Sequence, residues 1–419
     1  MTFARKRAFL AACSAVLVAA SAASASGSAG GPTATAADAS DQYTRLISRS
    51  VDGGVPNGAS TNAVISNDKR FARAVAFESD ASDLVRGDTN GMKDVFAVRR
   101  TGKIDNFGAP WEAGSTVLVS RTASGAPANG ASWGAGISGG FHWKARCVVF
   151  LSSASNIVRG DTNGVVDAFR GSVKGGKPKR ISKPGGKQAT KPTTAVAISG
   201  DCKKAAFIAG NKLYVMNGKG KVKRLKTRGA PADPSFSTGL RTDLVFGDKG
   251  GVYLSRGASK RPRLVAPGGS NPAYNDIKRQ VVTYEKSVGG HKQIGYKDLG
   301  KSEQIISSTR GHMGNGDSRD PVIGNAGYYV TFESDATNLG LNALSRLGDF
   351  NGMPDAYLYT NVRDITLVQS VEDKAVPLDG GGSNPSMSFY ANYIVFDSPA
   401  PLNDRNGAHQ IYMRYLGPV

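Results

Sequence analysis

An all-β, seven-bladed β-propeller is the fold this 419-residue sequence predicts, and three observations carry it. One short apolar strand centred on an aromatic recurs seven times along the chain. Each copy is followed by a further strand that carries its own aromatic. The last unit lacks a fourth strand, and an orphan strand near the N-terminus can supply it. Composition agrees: 53 Gly and 19 Pro imply many tight turns, which favour short strands over long helices. With 21% charged and 40% hydrophobic residues the chain is no disordered polyelectrolyte. Three Cys exclude both a disulfide-dense scaffold and a four-thiolate zinc site.

The first segment reads as an address. Residues 1–25 have the form of a signal peptide: Arg5, Lys6 and Arg7, then an apolar core Ala8–Ala20, then the small-x-small pattern Ala23-Ser24-Ala25. A lipobox spelling, Leu10-Ala11-Ala12-Cys13, is the rival, but the apolar run continues past it through Leu17 and Val18. Residues 26–43 read as a flexible linker, and residues 44–419 as the propeller. No later stretch is long and apolar enough to span a membrane. The mature chain is therefore expected outside the cytoplasm, secreted or associated with the cell envelope, without a transmembrane segment and as a monomer.

The seven strands are Ala74–Ser79, Val148–Ser152, Ala205–Ala209, Asp243–Gly247, Val281–Glu285, Tyr329–Ser334 and Tyr393–Ser398. A Ser-containing strand precedes the first three (AVIS, AGIS, AVAIS). The other four units open with a polar residue and Pro: Asp233-Pro234, Asn271-Pro272, Asp320-Pro321 and Asn384-Pro385. Third strands follow as DVFAV, DAFRG, KLYVM, GVYLS, QIGYK, DAYLY and QIYMR. Fourth strands read TVLVS, PKRIS, VKRLK, PRLVA, EQIIS and ITLVQ. Four strands per unit is the content of one propeller blade. The seventh unit ends without a fourth strand, so Thr44–Ser48 (TRLIS) is expected to complete it and close the ring. Closure removes the exposed sheet edges that invite aggregation.

The run AFESDASDLVRGDTNGMKDVF (Ala76–Phe96) recurs as FLSSASNIVRGDTNGVVDAF (Phe150–Phe169) and more loosely between Phe332 and Tyr357. In these spellings the chain, over roughly residues 44–415, resembles the TolB-like, WD-repeat-like β-propellers of bacteria. That resemblance implies a binding or scaffold module without a named ligand. TolB-like propellers usually have six blades, which makes six the alternative count.

Within those runs lies a D-x-N-G-x-x-D loop, with Asp88, Asn90 and Asp94; Asp161, Asn163 and Asp167; Asp349, Asn351 and Asp355. A fourth copy has Asp404, Asn406 and Gln410. Carboxylate and amide oxygens at this spacing suit calcium. Asn-Gly is equally a favoured hairpin turn whose Asx side chains bond their own backbone, so both roles stand. Gly130-Ala131-Ser132-Trp133-Gly134 spells a nucleophile elbow, but no α/β region remains to house a triad, so Ser132 is not expected to be catalytic. His142, His291, His312 and His409 have no ligand spacing, and His409 reads as a solvated loop residue. Cys147 and Cys202 precede second strands of adjacent units, and a disulfide between them fits an oxidising destination.

Charge is uneven. Of the formal +20, three units belong to the signal peptide, while the segment from Lys174 to Arg228 holds 16 Lys and Arg against one acid, Asp201. Lys177, Lys179, Arg180, Lys221, Lys223, Arg224, Lys226 and Arg228 fall in turns and fourth strands, the outer rim of a propeller. Such a flank attracts polyanions, here an envelope protein or an anionic cell-wall polymer. With only Phe207 and Tyr214 as aromatics in the segment, specific nucleic-acid binding is not expected. No catalytic residue or cofactor other than calcium emerges. The chain therefore reads as a non-catalytic binding module, with a propeller-fold polysaccharide hydrolase or lyase as the alternative. An axial pocket lined by acids and His would favour the enzyme; a small or Gly/Ser-lined channel would favour binding.

Overall fold

A computed structural model describes residues 42–417, apart from 70, 103–110, 240, 341–350, 362–364, 371–377 and 400–406. The expected signal peptide, nearly all of the linker, and Asp349, Asp404 and Asn406 lie outside these residues. Seven four-stranded antiparallel sheets form seven blades, the number counted in the sequence. The inner strands are Ser60–Ile65, Ser132–Ile137, Thr193–Ile198, Ala232–Phe236, Ser270–Asn275, Ser318–Gly324 and Ser383–Met387. Each lies against the inner strand of the next blade, and the seventh lies against the first. A two-stranded hairpin, Ser308–Thr309 with His312–Met313, links the fifth and sixth blades. Among the described residues no helix is long and apolar enough to cross a membrane.

The second strands are buried and mostly apolar because both faces of each blade are covered by neighbouring blades. Ala74–Ser79, Cys147–Ser152, Ala205–Ala209 and Tyr393–Ser398 are buried at every position. Hydrophobic contact accordingly lies in layers between blades: Phe77, Val75 and Phe96 of the first blade pack with Tyr393, Ile411 and Met413 of the seventh. Facing residues of second and third strands carry the repeated aromatics. Phe77–Phe96, Phe150–Phe169, Phe207–Tyr214, Phe246–Tyr253, Phe332–Tyr357 and Phe396–Tyr412 have ring centroids 5.2–6.2 Å apart. Such pairs add to the area they bury.

The ring closes by the N-terminal strand. Tyr43–Leu46 pairs antiparallel with Gln410–Tyr415, Tyr43 facing Tyr415 and Leu46 facing Tyr412. The ladder continues from Ile47 N–H to the Ile411 carbonyl, and Ser48 Oγ donates to Gln410 Oε1 at 2.9 Å. Strand four of the last blade is thus the first strand of the chain.

Candidate functional site: the axial funnel and the outer rim

Every inner strand breaks register near its start. At six of these bulges one residue takes the left-handed conformation: Asn62, Gly134, Asp233, Asn271, Asp320 and Asn384, with φ between 43° and 67°. Gly, Asn and Asp are the residue types that tolerate this conformation best. Proline follows in four of them, at a point where no ladder N–H is required. The recurring polar-Pro dipeptide of the sequence is therefore the mark of a bulge.

Four of the bulges turn a backbone N–H toward the preceding blade, where a second-strand carboxylate receives it. Gly134 N–H donates to Glu78 (2.7 Å), Asp320 N–H to Glu285 (3.1 Å), Asn384 N–H to Glu333 (2.8 Å) and Asn62 N–H to Asp397 (3.2 Å). The same carboxylates also take a donor from their own inner strand. Asn62 reaches Glu78, Asn271 reaches Glu285 and Asn384 reaches Asp397, while Arg319 bonds Glu333. All four acids are at most 5% exposed. Four blade junctions, including the one that closes the ring, are fastened by one repeated device.

Between the sixth, seventh and first blades these groups line an open cavity of about 360 Å³, with Asn62, Asp320, Glu333, Asn384, Asp397 and His409 on its wall. His409 Nδ1 lies 3.1 Å from Asp397 Oδ2, and this hydrogen bond holds the imidazole above its ordinary pKa. His409, in the loop where it was expected and with its side chain part-exposed, also lines the funnel wall. Arg319 pairs with both Glu333 and the exposed Asp335. Burial pushes the Asp320 and Glu333 carboxyls up. The wall offers acceptors to a cationic or hydroxylated group.

The opposite mouth is covered by the loop between the first two strands of the second blade. Gly139 N–H bonds the Gly200 carbonyl of the third blade, and a Cβ on Gly140 would sit 3.3 Å from the Thr238 carbonyl of the fourth. Phe141 meets Phe389 of the seventh blade, with ring centroids 5.3 Å apart. Reaching neighbours on both sides, this loop lies across the channel and leaves a funnel open at the acid-lined end. A smaller cavity of about 170 Å³ beside it is lined by Lys69, Arg73, Lys144 and the exposed Trp143.

The D-x-N-G-x-x-D loops form closely matched turns. Asn90 Oδ1 accepts from Met92 N–H, and Asn90 Nδ2 donates to Asp94 (2.6 Å) and to the Ala128 carbonyl. Asn163 and Asp167 repeat this, Asn163 also bonding the Ala189 carbonyl. Asn351 bonds Met353 N–H and the Leu378 carbonyl in the sixth blade. Ser120, Ser182 and Ser370 cap Asp94, Asp167 and Asp355. One loop corrects the sequence reading at Arg180. Arg180, expected on the polyanion-binding rim, is buried, its guanidinium 2.8 Å from Asp161 and 3.4 Å from Asp167. It is no surface cation, and it pairs with the first and last acids of that loop.

The other cations of the segment lie at the surface. Lys177, Lys179, Lys221, Lys223, Arg224, Lys226 and Arg228 are all exposed, on or beside the outer strands Lys179–Arg180 and Val222–Arg224 of adjacent blades. Among the described residues none of the seven lies within salt-bridge distance of an acid. Phe207 is fully buried and Tyr214 half-buried, so neither forms a stacking platform. Ser132 bonds Ser152 across its sheet as Ser60 bonds Ser79, a structural pair. Cys147 and Cys202 are joined with Cα atoms 5.9 Å apart, tying the second blade to the third.

The fold and these sites define a seven-bladed β-propeller with an acid-lined cavity between its sixth, seventh and first blades. No family model matches the chain, and no curated protein matches it. Solved structures similar to it are propellers of distant sequence. The β-propeller domain of the Trilobed protease from Pyrococcus furiosus is 9% identical, with a TM-score of 0.49, covering 85% of this chain and 94% of that one. A putative TolB from Agrobacterium tumefaciens is 15% identical with a TM-score of 0.34, covering 58% and 95%. The C-terminal WD40 domain of Sif2 is 10% identical with a TM-score of 0.46, covering 90% and 99%.

Proposed function

We propose that the chain is a secreted, TolB-like, non-catalytic propeller that holds an anionic polymer of the cell envelope on its outer rim. The observation that carries this reading is the set of seven exposed cations without acid partners on the edges of two adjacent blades. The funnel, though lined by acids and a His, supports binding over catalysis for a physical reason. Its buried carboxylates already accept hydrogen bonds from the backbone of the next blade, which fixes them as fasteners of the ring. A glycosidase needs one carboxyl free to give up a proton and another free to attack or activate water.

The test is binding of the mature protein to a poly(glycerol phosphate) and to a polyuronate at about 50 and 500 mM NaCl. Screening falls within a few ångströms at the higher salt, so affinity should collapse there. Changing Lys221, Lys223, Arg224 and Lys226 together to Glu should abolish binding without changing the melting temperature. Absence of binding at low salt, or binding indifferent to salt, defeats the proposal. Release of new reducing ends or unsaturated ends from the polyuronate would put the hydrolase or lyase reading in its place.

A further inference from the structure

The second blade shows what its D-x-N-G-x-x-D loop is built to hold. Asp161 and Asp167, the first and last residues of the loop, are almost fully buried, and the Arg180 guanidinium lies between them. The first blade repeats the loop with Asp88 and Asp94, the same Asn-to-Asp bond and the same serine cap. Arg180 faces Phe169 in the sheet, and the residue facing the equivalent Phe96 is Leu118. An acid pair of the same design therefore has a leucine where its counterpart has a cation.

The carboxylates themselves record the difference. Asp88 is only 6% exposed, and its Oδ1 is buried and accepts no hydrogen bond. Asp94 is fully buried, and its Oδ1 is taken by Ser120 and its Oδ2 by Asn90. A buried acceptor without a partner costs stability, and two buried like charges cost more. The bond from Asn90 does not exclude a cation, because Asn163 bonds Asp167 in the same way while Arg180 is in place.

We propose that the first-blade loop binds one divalent cation, calcium in preference to magnesium, between Asp88 and Asp94. Calcium accepts an irregular set of oxygens and completes it with water, whereas magnesium demands a near-octahedral set that this turn does not offer. Leu118 leaves the charge to be supplied from solution, where the second blade supplies it from its own chain.

The test uses the mature protein stripped with chelator, titrated with CaCl2 and separately with MgCl2, following heat and melting temperature. Calcium should bind and raise the melting temperature by a few degrees. Asp88→Asn should lower the affinity at this site at least about tenfold, reducing the calcium stoichiometry by one. Leu118→Arg, which copies the second blade, should also remove one calcium. In chelator its melting temperature should approach that of the calcium-loaded parent. Should that variant fail to fold, Asp94→Asn serves with Asp88→Asn. The proposal is overturned if the parent shows no response up to about 10 mM CaCl2, the weak end of extracellular calcium sites. It is equally overturned if both variants keep the full stoichiometry. Stabilisation by acid with no response to calcium would mean that the pair shares a proton instead.

Discussion

Arg180 is the residue at which sequence and structure part most clearly. In the sequence it stands among rim lysines, in a strand that reads PKRIS, and nothing local separates it from Lys179 beside it. The alternation of the outer strand does: Lys179 faces solvent and Arg180 faces inward, where it meets two acids from a loop some 15 residues upstream. Removing one member of a buried ion pair leaves the other charges stranded, which costs about 3–5 kcal/mol. Arg180→Ala should therefore destabilise the protein by about that amount, whereas Lys179→Ala, one residue away, should change stability by less than about 0.5 kcal/mol. Chemical denaturation of the two variants checks this. Equal and small effects would mean that the buried pair contributes nothing and that Arg180 behaves as a rim charge after all. Glu78, Asp80, Glu333 and Asp335 stand out in the sequence as related ESD turns that more simply mark a structural role, but the partners of the funnel residues were illegible for a related reason. Asn62 and Asp397 meet across 335 positions of sequence, and no spacing rule connects a bulge in the first blade to a strand in the last.

The repeated strands were the most legible elements because their pattern reports burial on both faces, and every second strand predicted from it is present. What the pattern left out was the bulge. Polar-Pro openings were visible in four units, but their meaning depends on an N–H pointing at the neighbouring blade. Blade five shows how the elements compensate for local exceptions. Six blades place an aromatic opposite an aromatic, while here Tyr284 faces Gly295. A Cβ on Gly295 would lie 2.4 Å from the Tyr284 ring, so the ring packs flat against bare backbone. Its hydroxyl donates to Glu303 at 2.5 Å, which fixes the ring from its far end. Gly295 is not in a left-handed conformation, so the effect of a side chain there is one of packing alone. Gly295→Ala should then cost about 1–3 kcal/mol through overpacking. Thermal denaturation of this variant beside Gly54→Ala, at an exposed turn outside the left-handed region, distinguishes the ring contact from a general intolerance of alanine. A neutral Gly295→Ala would show that Tyr284 moves aside freely.

At the scale of the molecule, the decisive feature is that the first strand of the chain completes the last blade. A propeller whose blades each close on themselves leaves its first and last blades joined only by side-chain packing. Here Tyr43–Leu46 is hydrogen-bonded into the seventh blade, while its side chains also reach the first. Tyr43 packs at a tilt against Tyr415, ring centroids 5.1 Å apart, and its hydroxyl accepts the Trp111 backbone N–H at 2.9 Å, while Ile47 packs with Phe77 and Phe96. Arg414, almost wholly buried, reaches back to Gln42 and Thr44. A chain beginning at residue 42 should therefore melt at the same temperature as one beginning at Ser26. A chain beginning at Arg49 loses the strand, uncovers the edge of Gln410–Tyr415 and opens the junction between blades seven and one. It should melt at a markedly lower temperature and self-associate through that edge, because an unpaired strand offers its N–H and C=O groups to another copy. Size-exclusion chromatography and thermal melts of the three chains read this directly, and adding a synthetic peptide of residues 42–49 to the shortest should restore the monomer. Were the shortest chain to remain monomeric with an unchanged melting temperature, the ring would be held by its inner fasteners, Asp397 to Asn62 among them, and the closing strand would be a covering for an edge that the fold does not need covered.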